Sequence, residues 1–433
     1  MSDDSALWHP CTQMKDYEQQ PPLRVKHAHG CTLELADGRQ ILDTVSSWWC
    51  KSLGYGHPVL RDALIAQAHQ LEHCMLGNAT HEPIEQLSSA LAQLMPSLTK
   101  VMYASDGAPA IEMAMKMSLH AHQILGQKRT QFAALSGAYH GETCGALSVS
   151  DLGKFREPYD SMLMKDALFI NHIPYVNSKH DPLWHDCSFS WETIKAQLDP
   201  YRETLTAILV EPIVQGANNM KIYSADLLRR LRSWCDEHGV HLIADEIMTG
   251  FGRTGKMLAC EHADIVPDFL CLGKALTAGW LPMSAMLTKQ SIYDLFYDDY
   301  SAGKSFLHSH TFAGTPLAAS VALATLNIMK EESLVVRAAE FESILLLAMQ
   351  DIADQTGALK NVRGIGMVVA ADLVNPHQQE RFGFEIYKQA LQHDLLLRPL
   401  GNTIYWMFPL NVSSATITKV KKRVMCLFKG KRS

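Results

Sequence analysis

Long apolar runs are missing from this sequence of 433 residues. No stretch reaches the length of about 18 uninterrupted apolar residues that marks a transmembrane helix. The first residues lack the basic start and apolar run of a secretory signal, so none is expected. A strong charge of one sign is missing as well, because the formal net charge is only −6. This balance argues against a surface for nucleic acid or anionic membranes.

Paired cysteines are also missing. The ten cysteines are scattered, and none forms a CxxC pair. A zinc site is therefore not expected, and His308 and His310 have no evident third ligand, so we predict no metal. Scattered cysteines suit a reducing compartment, which predicts a cytoplasmic protein.

The composition is that of a globular protein with a large core. Hydrophobic residues make up 47% of the chain and charged residues 19%. The length suggests two or three domains. The basic stretch 419–432 is expected to be the exposed face of a last helix followed by a frayed tail.

Secondary-structure patterns change along the chain. CTLELADGRQILDTV alternates around Asp37-Gly38, which predicts a hairpin. Residues 58–96 have helical spacing. From about 100 to 290, short apolar runs alternate with helical segments, which predicts an α/β fold with a mostly parallel sheet covered by helices. A long helical region after about 320 and mixed strands and helices then predict a smaller α+β part.

GFGRTG at 250–255 matches two nucleotide-binding patterns only superficially. A dinucleotide fingerprint should open a helix, but KMLACEHADIVPD is a poor helix start, and Asp245 and Glu246 would face a pyrophosphate. A phosphate loop would need Ser or Thr where Met257 stands. We therefore expect neither a nicotinamide cofactor nor ATP hydrolysis.

Two polar residues follow apolar strands in the α/β region. Lys274 follows DFLCLG, and Asp245 ends HLIAD. Taken alone, they could be a loop lysine and a turn aspartate. A lysine against an apolar wall has a lowered pKa and can form a Schiff base. A carboxylate at a strand end lies where α/β sheets hold ligands, and a pyridoxal ring nitrogen needs such a partner.

Two further segments fit a phosphorylated ring cofactor. The turn from Ser105 to Ala108 joins a strand to a helix through small residues, which lets a phosphate approach the helix N-terminus. Tyr139 and His140 follow a strand between glycines, where an aromatic side chain could stack on a ring or simply pack in the core.

The motifs in their order identify a family. SDGAPAIEMAMK, GAYHGETCGALSV, EPIVQGA, ADEIMTGFGRTG, CLGKALTAG and HTFAGTPLAA resemble the class III aminotransferases over nearly the whole chain. This resemblance implies a fold-type-I enzyme with pyridoxal 5'-phosphate on Lys274. The large domain would hold a seven-stranded, mostly parallel sheet, and both chain ends would form a smaller α+β domain. The predicted segments are 1–55, 56–325 and 326–433.

The resemblance assigns roles to individual residues. Gly107 and Ala108 would bind the cofactor phosphate, Tyr139 would stack on the ring, and Asp245 would pair with the ring nitrogen. Thr311 would reach the phosphate of the neighbouring subunit, which implies a homodimer with shared sites. The substrate residues would be Trp48, Trp49, Arg253, Arg398 and Cys11.

The chain ends resemble the biotin-pathway branch of this class. The resemblance lies in WHPCTQM at 8–14, SSWW at 46–49, HPVL at 57–60 and RPLGNTIYWMFPL at 398–410. The branch implies 8-amino-7-oxononanoate as acceptor and S-adenosylmethionine, or alternatively lysine, as donor. Cys11 departs from the aromatic residue usual in that branch. The alternatives are a class III enzyme acting on ornithine, 4-aminobutyrate or another terminal amine, and a non-catalytic binding protein.

Overall fold

The protein is described here by a computed structural model covering residues 6–375 and 377–429. Residues 1–5 of the predicted N-terminal segment and the predicted frayed tail at 430–433 lie outside the described residues. The strands are β1 (Val25–His29), β2 (Thr32–Leu35), β3 (Gln40–Asp43), β4 (Lys100–Ala104), β5 (Gln131–Leu135), β6 (Leu168–Ile170), β7 (Tyr175–Val176), β8 (Leu205–Val210), β9 (Val214–Gln215), β10 (Lys221–Tyr223), β11 (His241–Asp245), β12 (Phe269–Leu272), β13 (Ser284–Thr288), β14 (Leu359–Ile365), β15 (Val368–Leu373), β16 (Leu395–Leu396) and β17 (Thr403–Met407).

The helices cover the sheets and connect the strands. They are α1 (Pro58–Ala68), α2 (Glu82–Leu94), α3 (Gly107–Ile124), α4 (Cys144–Ser148), α5 (Pro182–His185), α6 (Ser188–Leu198), α7 (Ala225–His238), α8 (Gln290–Phe296), α9 (Pro316–Glu331), α10 (Leu334–Thr356), α11 (Phe382–Gln392) and α12 (Ser414–Lys429). In the described part of the chain, no helix combines the length and apolarity needed to cross a membrane.

The largest sheet has seven strands in the order β4-β13-β12-β11-β8-β5-β6. Strand β13 runs antiparallel to both neighbours, and the other pairs are parallel. Successive residues of β8 belong to different apolar clusters: Ile208 packs on one face and Leu209 on the other. Burial of both faces explains the continuous apolar runs that predicted this sheet, and the predicted α/β class is confirmed.

The two chain ends meet in one small sheet. The predicted hairpin is present, with β2 antiparallel to β3, and Gly38 has a φ of 88°. Strand β16 joins this sheet parallel to β3, and β14, β15 and β17 form another sheet nearby in sequence. This pairing agrees with a smaller α+β part built from both termini, while the predicted segment boundaries stay a prediction.

Two predicted continuous helices are each broken in two. Residues 58–96 contain α1 and α2, because His81 caps the second helix by accepting the Ile84 N–H and Pro83 occupies its first turn. Proline is tolerated only there, since it lacks the N–H that a helix interior requires. The helical region after about 320 begins at Pro316 and breaks at Ser333, which has a φ of 51°.

Gly366, in the turn between β14 and β15, packs against the loop that follows β11. Gly366 has a φ of 54°, and a Cβ placed on it would lie 2.3 Å from the Thr254 carbonyl carbon. Its N–H donates to the buried carboxylate of Glu342 at 2.8 Å. The backbone of this contact therefore leaves no room for a side chain.

We expect Gly366→Ala to lower the free energy of unfolding by roughly 3 kcal/mol, because overlap with backbone adds to left-handed strain. The matched control is Gly357→Ala, where φ is 64° but nothing lies within 4 Å of the new Cβ. The control adds only the left-handed strain, so we expect its free energy of unfolding to fall by about 1 kcal/mol. Urea unfolding of both variants checks this, and equal losses would contradict the steric explanation.

Candidate active site

A cavity of about 750 Å³ lies at the carboxyl end of the central sheet. Parallel strands direct their carboxyl ends to one edge, so the residues that follow them converge there. The cavity-lining residues at this edge include Gly107 after β4, Tyr139 after β5, Glu211 after β8, Asp245 at the end of β11, and Lys274 after β12.

Lys274 begins a short 3-10 turn just beyond β12 and has a φ of 42°. Its Nζ lies 5.0 Å from the ring centroid of Trp49. Burial lowers the pKa of Lys274, while the nearby carboxylates of Asp245 and Glu211 oppose that shift. The net lowering makes the unprotonated, nucleophilic amine more accessible than in a solvent-exposed lysine.

Asp245 is buried and bonded to a histidine. Its Oδ2 lies 2.8 Å from His140 Nδ1, and its Oδ1 accepts the Ile247 N–H at 3.2 Å. His140 is 2% exposed, and its buried Nε2 has no hydrogen-bond partner among the residues that the structure describes. The pair fixes the direction of the carboxylate at the cavity wall.

Glu211 is a second buried carboxyl group at the same edge. Its oxygens accept two backbone N–H groups, from Tyr139 at 3.1 Å and from Gly216 at 2.9 Å. Burial raises its pKa to about 7; the charge of His140 lowers this pKa, and that of Asp245 raises it. Glu211 thereby links the loop that carries Tyr139 to the loop after β9.

Tyr139 and the start of α3 form another part of the cavity wall. The Tyr139 hydroxyl donates to Glu142 at 3.3 Å, and burial raises the pKa of this phenol. At the N-terminus of α3, the Asp106 side chain makes no capping hydrogen bond. The first backbone N–H groups of the helix, at Gly107 and Ala108, face the cavity with the positive end of the helix dipole.

The two adjacent tryptophans, Trp48 and Trp49, contact different partners. Trp49 is buried and lines the cavity, and its Nε1 donates to the Tyr405 hydroxyl at 3.0 Å. Trp48 is 45% exposed, and the Arg398 guanidinium lies 4.5 Å from its ring centroid. Arg398 is exposed, and neither it nor Trp48 is among the described residues that line the cavity.

Arg253 lies behind the cavity wall. It is 1% exposed, its Nη1 donates to the Phe408 carbonyl at 2.5 Å, and its Nη2 donates to the Trp49 carbonyl at 3.5 Å. Burial lowers its pKa to about 10. Among the described residues Arg253 is not part of the cavity lining, so its contact with the site runs through the backbone of Trp49.

Cys11 and Thr311 are exposed and are not among the described residues that line this cavity. Cys11 is close enough to Tyr139 for its charge to raise the pKa of that phenol. Thr311 lies in a turn after His310. Within the described ranges no group of three His, Cys, Asp or Glu residues is arranged to hold a metal ion.

His140 and Glu211 were not among the predicted site residues. The sequence signal for Glu211 is the same as the one for Asp245. Each acidic residue directly follows an apolar run, TAILV before Glu211 and HLIA before Asp245. His140 follows Tyr139 directly, but its contact with Asp245 spans 105 positions. No local pattern specifies such a pairing.

The residues fit pyridoxal phosphate. An amine with a lowered pKa, a buried carboxylate and an uncapped helix N-terminus face one cavity, and these match the aldehyde, ring nitrogen and phosphate of that group. A Cβ on Gly107 would lie 2.9 Å from Ile247 Cδ1, so glycine lets the start of α3 pack closely against Ile247 in the cavity wall.

Comparison with known proteins agrees with this chemistry. The aminotransferase class-III family matches residues 13–425. Adenosylmethionine-8-amino-7-oxononanoate aminotransferase of Helicobacter pylori is 38% identical over 418 residues, which are 95% of this chain and 93% of the relative. The Synechococcus elongatus enzyme of the same name is 35% identical, over 93% of both chains.

Solved structures give the same result. Adenosylmethionine-8-amino-7-oxononanoate aminotransferase from Methanocaldococcus jannaschii has a TM-score of 0.91 and 29% identity, covering 99% of this chain and 98% of that one. A PLP-bound amine transaminase from an uncultivated Pseudomonas species has a TM-score of 0.91 and 28% identity, covering 99% and 100%. The chain belongs to the class III aminotransferase family and is a pyridoxal-phosphate-dependent transaminase.

Proposed function

We propose that this enzyme transfers an amino group to 8-amino-7-oxononanoate, forming 7,8-diaminononanoate in biotin synthesis, with S-adenosylmethionine as donor. The contact of Arg398 with Trp48, which is next in the chain to the cavity residue Trp49, carries the proposal. A long apolar acceptor with a terminal carboxylate requires an aromatic wall and one cationic group at a distance from the reacting carbon. The names of the relatives described above support the same substrates.

We propose Lys274 as the residue that holds the cofactor and moves the proton. Pyridoxal phosphate supplies, when bound, an aldehyde that receives the amino group and a ring that accepts negative charge. Lys274 would hold this group through its amine, and the same amine, once free again, would take the proton from the substrate carbon that bears nitrogen. Its lowered pKa favours the basic form that this transfer requires.

Asp245 and His140 would act as a unit at the ring nitrogen. The Asp245 carboxylate would hold a proton on that nitrogen, and the 2.8 Å contact with His140 would keep the carboxylate in position. Tyr139 would cover one ring face, with Glu211 holding its backbone. Gly107 and Ala108 would donate N–H groups to the phosphate.

The substrate side would be formed by the exposed Arg398, Trp48 and Cys11 together with the buried Trp49. Arg398 would bind the acceptor carboxylate through the planar fork of its guanidinium, and Trp48 and Trp49 would supply apolar faces. Cys11 would lie at the entrance beside Tyr139. Arg253 contacts the wall from behind through the Trp49 carbonyl, and its role in substrate binding stays a prediction.

We also propose a homodimer with shared active sites, in which Thr311 of one subunit binds the phosphate in its partner. The supporting observation is that Thr311 is exposed and is not among the described residues lining the cavity of its own chain.

All ten cysteines are free, which suits the predicted reducing compartment.

The substrate assignment is tested by incubating the holoenzyme with 8-amino-7-oxononanoate and either S-adenosylmethionine or lysine, and following the diamine by mass spectrometry. We expect product with S-adenosylmethionine. Product with lysine and none with S-adenosylmethionine would identify lysine as the donor. Product with neither, together with turnover of ornithine or 4-aminobutyrate, would replace the biotin assignment by another class III transamination.

The Lys274→Ala variant is expected to form no borohydride-reducible cofactor adduct and no diamine, because the attacking amine is gone. Lys128→Ala is the matched control, since Lys128 is an exposed lysine at a distance in sequence from every strand-end group of the site. A reducible adduct in Lys274→Ala with wild-type absorbance would contradict the assignment of the amine.

Arg398→Met is expected to raise KM for the oxo acid by about 10- to 100-fold, because a charge-assisted bidentate contact is lost. The kcat should change little, since the guanidinium is distant from the reacting carbon. Arg398→Lys keeps the charge without the planar fork and should fall between. An unchanged KM in Arg398→Met would place the carboxylate elsewhere.

Mixed dimers test the shared site. Thr311→Ala alone should weaken cofactor binding about tenfold through a lost hydrogen bond to phosphate. A Thr311→Ala chain paired with a Lys274→Ala chain should then contain one intact site, with wild-type cofactor affinity, if Thr311 acts on the partner. If Thr311 acts within its own chain, that mixed dimer has no intact site and the proposal is wrong.

A further inference from the structure

The four residues Ser46–Trp49, here named the left-handed turn, have an unusual backbone. Their φ values are 50°, 48°, 59° and 74°, although none is glycine. The turn is closed by bonds from Trp49 N to Val45 O and from Cys50 N to Ser46 O, both 3.0 Å. A left-handed helical turn brings Cβ close to the next carbonyl oxygen, so consecutive residues other than glycine disfavour it. Such a segment persists only where its surroundings hold it.

One buried carboxylate makes most of the polar contacts at the start of this turn. Asp43 is 1% exposed, and its Oδ1 accepts the Val45 N–H at 2.8 Å. Its Oδ2 accepts the Ser47 N–H at 2.9 Å and the Tyr55 hydroxyl at 2.7 Å. Three neutral donors therefore converge on one carboxylate: the Ser47 N–H belongs to the left-handed turn itself, and the Val45 N–H belongs to the residue just before it. An amide at this position would put an N–H group against one of these donors.

The far side of the turn is anchored to β17. Ser46 Oγ donates to the Met407 carbonyl at 2.6 Å, and Trp49 Nε1 donates to the Tyr405 hydroxyl at 3.0 Å. These contacts span more than 350 positions of the chain. They hold the turn between the N-terminal sheet, which carries Asp43, and the C-terminal strand.

The handedness of the turn decides where the two tryptophans lie. With this backbone, Trp49 faces Lys274 at 5.0 Å from amine to ring, and Trp48 lies under Arg398 at 4.5 Å. A right-handed or extended backbone at Ser47 would change the directions of both side chains, because adjacent Cβ vectors follow φ and ψ. Lys274 and Arg398 are thus each contacted by a tryptophan of the same left-handed turn.

We propose that Asp43 is a positioning residue that holds the left-handed turn and so directs Trp49 toward Lys274 and Trp48 toward Arg398. This inference rests on the proposed function for the role of Arg398, while the Trp49–Lys274 contact is independent of the acceptor. Asp43 does not itself line the described cavity. Its effect on the reaction passes through the backbone of the turn.

Glycine provides a specific test, because it adopts left-handed φ without steric cost. Asp43→Asn should raise the dissociation constant of an accepted amino donor in the first half-reaction about tenfold. The change is followed by cofactor absorbance. Asp43→Asn with Ser47→Gly should recover most of that loss, and Asp43→Asn with Ser47→Ala should not, since alanine retains Cβ. Asp226→Asn is the control, because Asp226 is also a buried carboxylate that accepts a backbone N–H, from Cys187 at 3.0 Å.

Wild-type donor binding in Asp43→Asn, or equal recovery by glycine and alanine, would overturn the inference. The half-reaction does not involve the acceptor, so failure of the biotin assignment appears separately, as a wild-type enzyme that makes no diamine. If Asp43→Asn does not fold, the single variants decide. Ser47→Gly should unfold at a higher temperature than Ser47→Ala, and the reverse order would show that the turn is not strained.

Discussion

The position of one amine in a partly apolar cavity determines the rest of this site. Lys274 loses hydration at the end of β12, and its pKa falls even though Asp245 and Glu211 favour its charged form. Desolvation wins because both carboxyl groups have other partners: His140 for Asp245, and the backbone of Tyr139 and Gly216 for Glu211. If either carboxylate bonded directly to the amine, the charged form would be favoured and the nucleophile suppressed.

The two strand-end carboxyl groups differ in chemistry because their partners differ. The Asp245 carboxylate lies 2.8 Å from the His140 imidazole. Glu211 accepts the backbone N–H groups of Tyr139 and Gly216, and burial raises its pKa to about 7. The raised pKa favours the protonated form of Glu211, so this group carries less negative charge than an exposed glutamate while it holds the Tyr139 loop. Similar residues at equivalent strand ends can therefore separate an electrostatic role from a structural one.

The sequence predicted the parts of the fold and site that depend on local pattern. Apolar runs located β8, β11 and β12, and the polar residues that end or follow them identified Asp245 and Lys274. The breaks between paired helices were missed, since they depend on capping by His81 and on the left-handed Ser333. Arg253 was predicted to bind substrate, and that role stays a prediction. Its burial against the Phe408 and Trp49 carbonyls arises from a packing that no local motif encodes.

The substrate wall depends on tertiary contacts in a way that the cofactor residues do not. A left-handed conformation costs about 1–2 kcal/mol per residue, so the four residues Ser46–Trp49 store roughly 4–8 kcal/mol of strain. Individual hydrogen bonds contribute about 1 kcal/mol, and those to a carboxylate about 1.5–3 kcal/mol. The contacts of Asp43, Met407 and Tyr405 together are of the size needed to offset that strain. Because these partners come from both ends of the chain, the position of the wall depends on both the N-terminal sheet and β17. The strand-end groups for the cofactor, by contrast, depend on the central sheet, whose strands bring them to one cavity.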